Sequence, residues 1–200
     1  MDNTKAVSLP YAVKLMRMQR DDLLQFCDKS TYDLVYFSEL DLEMAENFGS
    51  VVAYRSIEEE RMKRLLIASE FLSDPERFIP LVRLTTDKYF EFIYSFIDKQ
   101  GSSDIAKRLR SSVKSLFSFN KLSNFNKTVS KLSLTDQWND HENECFLEIA
   151  REWCEKHSLP YTYDMIEPVI VLEHIDGEQA DFNDEEPNVE EEEISDENDD

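Results

Sequence analysis

Glycine is nearly absent: Gly49, Gly101 and Gly177 are the only three in 200 residues. Rossmann and P-loop phosphate cradles need several glycines at fixed spacing, and none of these has another within reach. The G-x-S-x-G elbow of serine hydrolases is excluded on the same ground. Glycine-turn-rich β architectures and collagenous repeats are disfavoured as well. Cysteine is scarce too. Cys27, Cys145 and Cys154 are an odd number, and the first residues lead into no apolar stretch. Reduced, mostly buried thiols in an intracellular protein, nuclear or cytoplasmic, are expected. Long hydrophobic runs are also missing. Val169-Ile170-Val171-Leu172 falls far short of the ~20 residues that span a bilayer, so no membrane association is expected.

What the chain has in abundance is charge, unevenly laid out. With 22 basic and 43 acidic side chains the net charge is −21, while 41% hydrophobic residues suffice for one core. Residues 101–131 reverse the trend, carrying Lys107, Arg108, Arg110, Lys114, Lys121, Lys127 and Lys131 against the single acid Asp104. Residues 176–200 hold 14 acids and no base. That stretch has little to bury and repels itself, so it reads as a disordered acidic tail following a domain over residues 1–175. Ser195 within it sits in a context suited to acid-directed phosphorylation.

Capping residues and apolar spacing give the expected elements. Pro10, with Ala12, Met16, Leu23 and Cys27 on one face, reads as a helix over 10–28. Ser30 and Asp33 resemble a capping box ahead of the stripe Leu34, Phe37, Leu40, Met44 and Phe48, closed by Gly49. Ser56 and Glu59 repeat that spacing before Met62, Leu65 and Leu72. Asp74-Pro75 opens a short helix to about Val82, and Thr85 opens another through Phe90, Ile93 and Ile97 to Gly101. Ser103 caps a helix carrying Ile105, Leu109 and Val113. Residues 118–134 read either as a weak helix or as a partly ordered loop, and Thr135-Asp136 caps a stronger helix ending near His157. An extended segment over 166–175 comes next. The expected fold is all-α, about seven helices in an irregular bundle or a short helical-repeat arrangement.

Candidate chemistry is thin. His141, Cys145, Cys154 and His157 have ligand-like spacings, but on one continuous helix the two pairs lie ~13 Å apart, beyond the reach of one zinc ion. Glu144, Glu148 and Glu152 at i, i+4 spacing describe a solvated acidic stripe, and no flanking residues support Cys27 as a nucleophile. No catalytic residue, metal or cofactor is expected. Two binding roles are. The leading one is a non-enzymatic interaction module, a complex subunit or chaperone-like assembly factor. Its helical domain docks a protein partner, while Asp184, Glu185, Glu186 and Glu190, Glu191, Glu192 and Glu193 engage a basic, histone-like or ribosomal surface. The alternative is a nucleic-acid-associated protein that uses Lys107, Arg108, Arg110, Lys114 and Lys121, with Phe117, Phe119 and Phe125 available for stacking and the tail as an internal brake. Val169 and Val171 could add a strand to a partner's sheet.

Overall fold

A computed structural model describes residues 5–48, 58–114 and 117–168 of the chain. Its element order is β1 (Val7–Ser8), α1 (Leu9–Arg17), β2 (Leu23–Asp28), β3 (Leu34–Ser38), α2 (Glu39–Phe48), α3 (Glu59–Ser73), β4 (Phe78–Pro80), α4 (Thr86–Lys99), α5 (Asp104–Ser112), α6 (Ser118–Lys131), α7 (Thr135–Lys156) and β5 (Tyr161–Thr162). The protein is mostly helical, with two small sheets: antiparallel β3-β2-β4, and the parallel pair β1-β5.

The sheets correct the all-α expectation. The expected helix over 10–28 stops at Arg17, and Leu23–Asp28 turns instead into the central strand β2. The expected stripe from Leu34 splits in the same way, into β3 and then α2. The capping box that starts α2 lies eight residues beyond the one expected at Ser30. The Asp41 amide donates to Ser38 Oγ at 3.1 Å and the Ser38 amide returns to Asp41 Oδ2 at 3.0 Å. Asp74-Pro75 opens only a 3-10 turn over Pro75–Arg77, after which the chain extends as β4. Pro80 fits there because β4 is an edge strand.

These strands hide in the sequence because the sheet is buried on both faces. Cys27 and Leu34 enter a core shared with α1, α4, α5, α6 and α7, whereas Phe26, Val35, Phe37 and Phe78 pack with Ala45, Ile67 and Ala68 of α2 and α3. A strand covered on both sides reads as a continuous apolar run rather than an alternation. Four rings, Phe26, Phe37, Phe71 and Phe78, fill the second core, with Phe26 and Phe71 centroids 4.9 Å apart.

The helices beyond β4 obey the expected caps more closely. Thr85 Oγ1 accepts from the Lys88 amide and Ser103 Oγ from the Ala106 amide. Residues 118–131 are helical, resolving the helix-or-loop alternative: Phe125 is fully buried, edge-on to Trp138 with centroids 4.8 Å apart. Helix α7 begins at Thr135 without a side-chain cap and packs along α1. Glycine's scarcity shows at the helix ends. Helices α6 and α7 both finish in a Schellman motif, Leu134 N–H bonding Val129 O and Leu159 N–H bonding Cys154 O. The left-handed residue each motif needs is a serine: Ser133 at φ 55° and Ser158 at φ 56°. Ser56, Gly49 and the residues from Val169 onward, including the tail and Ser195, lie outside the described residues.

Candidate functional site

Helices α5 and α6 each bury one stripe and turn another outward. On α5 the buried residues are Ala106 and Leu109; on α6 they are Phe125 and Val129. The outward stripes face each other across an open groove of about 540 Å³. Its cations are Lys107 and Arg108 from α5 with Lys127 and Lys131 from α6. Ser111, Ser112, Asn124 and Thr128 supply the remaining polar lining. The α6 residues recur at i, i+3, i+4 and i+7, one face of a helix.

The charges in this groove are largely unspent. Lys107 bonds Asp104 at 3.0 Å on an exposed surface, an arrangement that contributes little. Among the described residues no carboxylate pairs with Arg108, Lys127 or Lys131. The hydroxyls of Ser111, Ser112 and Thr128 donate back to the carbonyls of Lys107, Leu109 and Asn124, and a rotation of each hydroxyl frees its donor.

The structure divides the expected basic patch. Lys107 and Arg108 line the groove; Arg110 bonds Asp98 at 3.0 Å and shares a different cleft with Lys114, Tyr94 and Val113. Lys121 lies over the Phe90 ring, 5.5 Å from its centroid. Lys127 and Lys131, from the same basic segment, join Lys107 and Arg108 in the groove. Their spacing with Asn124 and Thr128 was the available signal, and it carries meaning only once 118–131 is a helix. The phenylalanines do not interleave with these cations. Phe125 is core, Phe117 is 70% exposed, and Phe119, 81% exposed, borders a separate cleft.

That second cleft, about 520 Å³ between α1, α4, α6 and α7, has an apolar wall including Phe90 and Phe146. Its charges are satisfied internally. Arg17 bonds Glu142 at 2.9 Å and lies over the Phe146 ring, while Tyr89 donates its hydroxyl to the same carboxylate at 2.5 Å. Burial, followed by that hydrogen bond, pushes the Tyr89 phenol up.

The thiols and imidazoles are placed by packing. Cys27 and Cys154 sit in the main core, and burial pushes both thiols up to about 12, far from a nucleophile's range. His141 Nε2 lies 3.6 Å from Cys145 Sγ, while the His157 ring lies against Trp153 on a later turn of α7. Among the described residues no three His, Cys, Asp or Glu gather at metal-binding distance. Among them, also, no helix is long and apolar enough to cross a membrane. The tail acids Asp184 to Glu193, with Val169 and Val171, fall outside the described residues. No protein-family model, curated protein or solved structure matches this chain.

Proposed function

We propose that this chain is a non-enzymatic binding module whose α5–α6 groove receives the sugar–phosphate backbone of a nucleic acid. The observation that supports it is the convergence of Arg108, Lys127 and Lys131, uncompensated among the described residues, on one groove with neutral hydrogen-bonding side chains between them. Lysine and arginine neutralise phosphates, and hydroxyl and amide groups add contacts that fix register without reading sequence. With no aromatic ring among the described residues that line the groove, recognition works through charge and not through base stacking. The acidic stretch with Asp184, Glu185, Glu186 and Glu190 to Glu193 competes with the phosphates for these cations and acts as the brake. Capture of a basic protein by that stretch rests on sequence charge alone and is the reading that would replace this one.

The test is fluorescence anisotropy with labelled single-stranded and duplex oligonucleotides across a salt series. The full chain binds weakly and a chain ending at residue 175 binds more tightly, with log K falling against log salt at a slope of about −3 on the single strand and about −3.6 on the duplex for four phosphate contacts. Replacing Arg108, Lys127 and Lys131 by Gln flattens that slope by about one unit per cation removed. Equal binding by this triple variant, or no binding at low salt by either chain length, rejects the groove.

A further inference from the structure

Among the described residues strand β3 has no neighbour on one edge, and the register shows which groups that edge exposes. The Asp28 amide donates to Asp33 O, while Lys29 N–H reaches Arg77 O and Leu81 N–H reaches Gln25 O. Even residues of β2 therefore exchange bonds with odd residues of β3, and odd residues of β2 serve β4. Leu34, Tyr36 and Ser38 accordingly turn their backbone groups away from the sheet. The Ser38 amide is taken by Asp41. Leu34 and Tyr36 together present two N–H and two C=O groups outward.

A groove of about 430 Å³ runs along that edge. It is floored by Leu34, Val35 and Tyr36 and walled by Tyr11 of α1 and by Ile67 and the charged Glu60, Lys63 and Arg64 of α3. Leu34 belongs to one core and Val35 to the other, so a cavity touching consecutive strand residues tracks the edge and not a face. The chain itself is delivered there. Ser8 Oγ donates to Asp164 O at 2.7 Å and accepts from the Ile166 amide at 3.1 Å. Lys14 then bonds Glu167 at 2.6 Å, and Pro168 lines the groove. The next four residues are Val169, Ile170, Val171 and Leu172, β-branched at three positions.

We infer that this edge is a strand-docking site and that its occupant is Val169–Leu172 of the same chain, adding a fourth strand outside β3. Three observations converge on it: Pro168 lies in the groove, unpaired backbone groups of β3 face outward there, and the four residues after Pro168 are strand formers. Main-chain bonds supply the attraction in such an addition. Covering the edge also removes a template on which other chains would pair.

Residue-resolved hydrogen exchange on the full-length protein tests it. The Leu34 and Tyr36 amides are protected, and Val171→Pro lowers their protection by roughly tenfold or more, while Val171→Thr, which keeps the β-branch, leaves it intact. The Val35 amide, bonded to β2, reports whether the proline variant still folds. Independently of any substitution, NMR of the unaltered chain shows backbone NOEs between Leu34 or Tyr36 and residues 169–172. Exposed Leu34 and Tyr36 amides, protection indifferent to Val171→Pro, or absent NOEs overturn the proposal. Protection that fades on dilution together with loss of a dimer overturns it in favour of a second copy.

Discussion

Arg77 holds Asp28 with both prongs of its guanidinium: Nε donates to Oδ1 at 2.7 Å and a terminal nitrogen donates to Oδ2. The pair fastens the 3-10 turn ahead of β4 to the end of β2, beside the backbone bond from Lys29 N–H to Arg77 O. The Asp28 side chain is only 6% exposed and that of Arg77 29%. Burial alone would raise the Asp28 carboxyl, but Arg77 and the Ser30 hydroxyl and amide outweigh it and hold the group at about 2.

Removing Arg77 strands that carboxylate. Arg77→Met lowers stability at pH 7 by about 3 kcal/mol, the cost typical of breaking a buried pair from one side. Unfolded Asp28 takes up its proton near 3.8 and the folded group near 2, so its contribution is complete above that window and drains away as pH falls through it. Urea unfolding at pH 7, 4, 3 and 2.5 reads this as an acid limb steeper in the unaltered protein than in Arg77→Met. Identical limbs would show that Asp28 titrates alike in both proteins.

His141 is buried neutral. Lys99 Nζ approaches Nδ1 at 2.9 Å, and since an ammonium only donates, Nδ1 accepts. The ring proton is thereby assigned to Nε2, which donates to Phe92 O at 3.1 Å and faces Ser95 Oγ at 2.9 Å. Burial, then the Lys99 charge, lowers the imidazole below its ordinary 6.5 against the opposing pull of the Phe92 carbonyl and Glu144. A depressed folded value means stability is complete above 6.5 and declines as pH drops, because only the unfolded chain takes up the proton. Thermal unfolding between pH 7 and pH 5 shows this decline, and His141→Gln makes it shallower. An NMR titration in which the His141 ring protonates above 6.5 in the folded protein would contradict the assignment.

The serines at the ends of α6 and α7 carry a conformational cost that glycine would not. Ser133→Gly and Ser158→Gly each raise the unfolding free energy by roughly 0.5–1 kcal/mol, because glycine has no Cβ to meet the carbonyl in the left-handed region. The converse holds at Gly101, where φ is 65° and nothing lies within 4 Å of an added Cβ: Gly101→Ala costs about 1 kcal/mol through backbone strain alone. Denaturant midpoints with unchanged slopes settle the signs. A neutral Ser133→Gly would mean that its side chain contributes as much as the strain removes.

Elements were legible where a local signal stands alone. Helices α4 and α5 carry a capping hydroxyl, a clean stripe and little tertiary interference, and they form where their caps say. The segment Leu23–Asp28 carries Leu23, Phe26 and Cys27 at helical spacing, yet burial of both sheet faces produces the same pattern in a strand. Nothing at Arg17 or Met18 marks a stop, since no glycine or proline stands there. The basic segment was legible as charge but not as a groove. Which cations meet is decided by Phe125 anchoring α6 to Trp138, a contact between residues 13 apart in sequence.

The parallel pair β1-β5 joins the first and last strands of the described residues, with Val7 opposite Tyr161 and Ser8 opposite Thr162. Ser8 and Lys14 add side-chain ties to Asp164, Ile166 and Glu167. A force applied between the outer ends of these strands draws them past each other lengthwise, loading the bonds together instead of parting them in turn. Pulling the two strands apart along their length is therefore resisted by a clasp that Val7 roots in the main core.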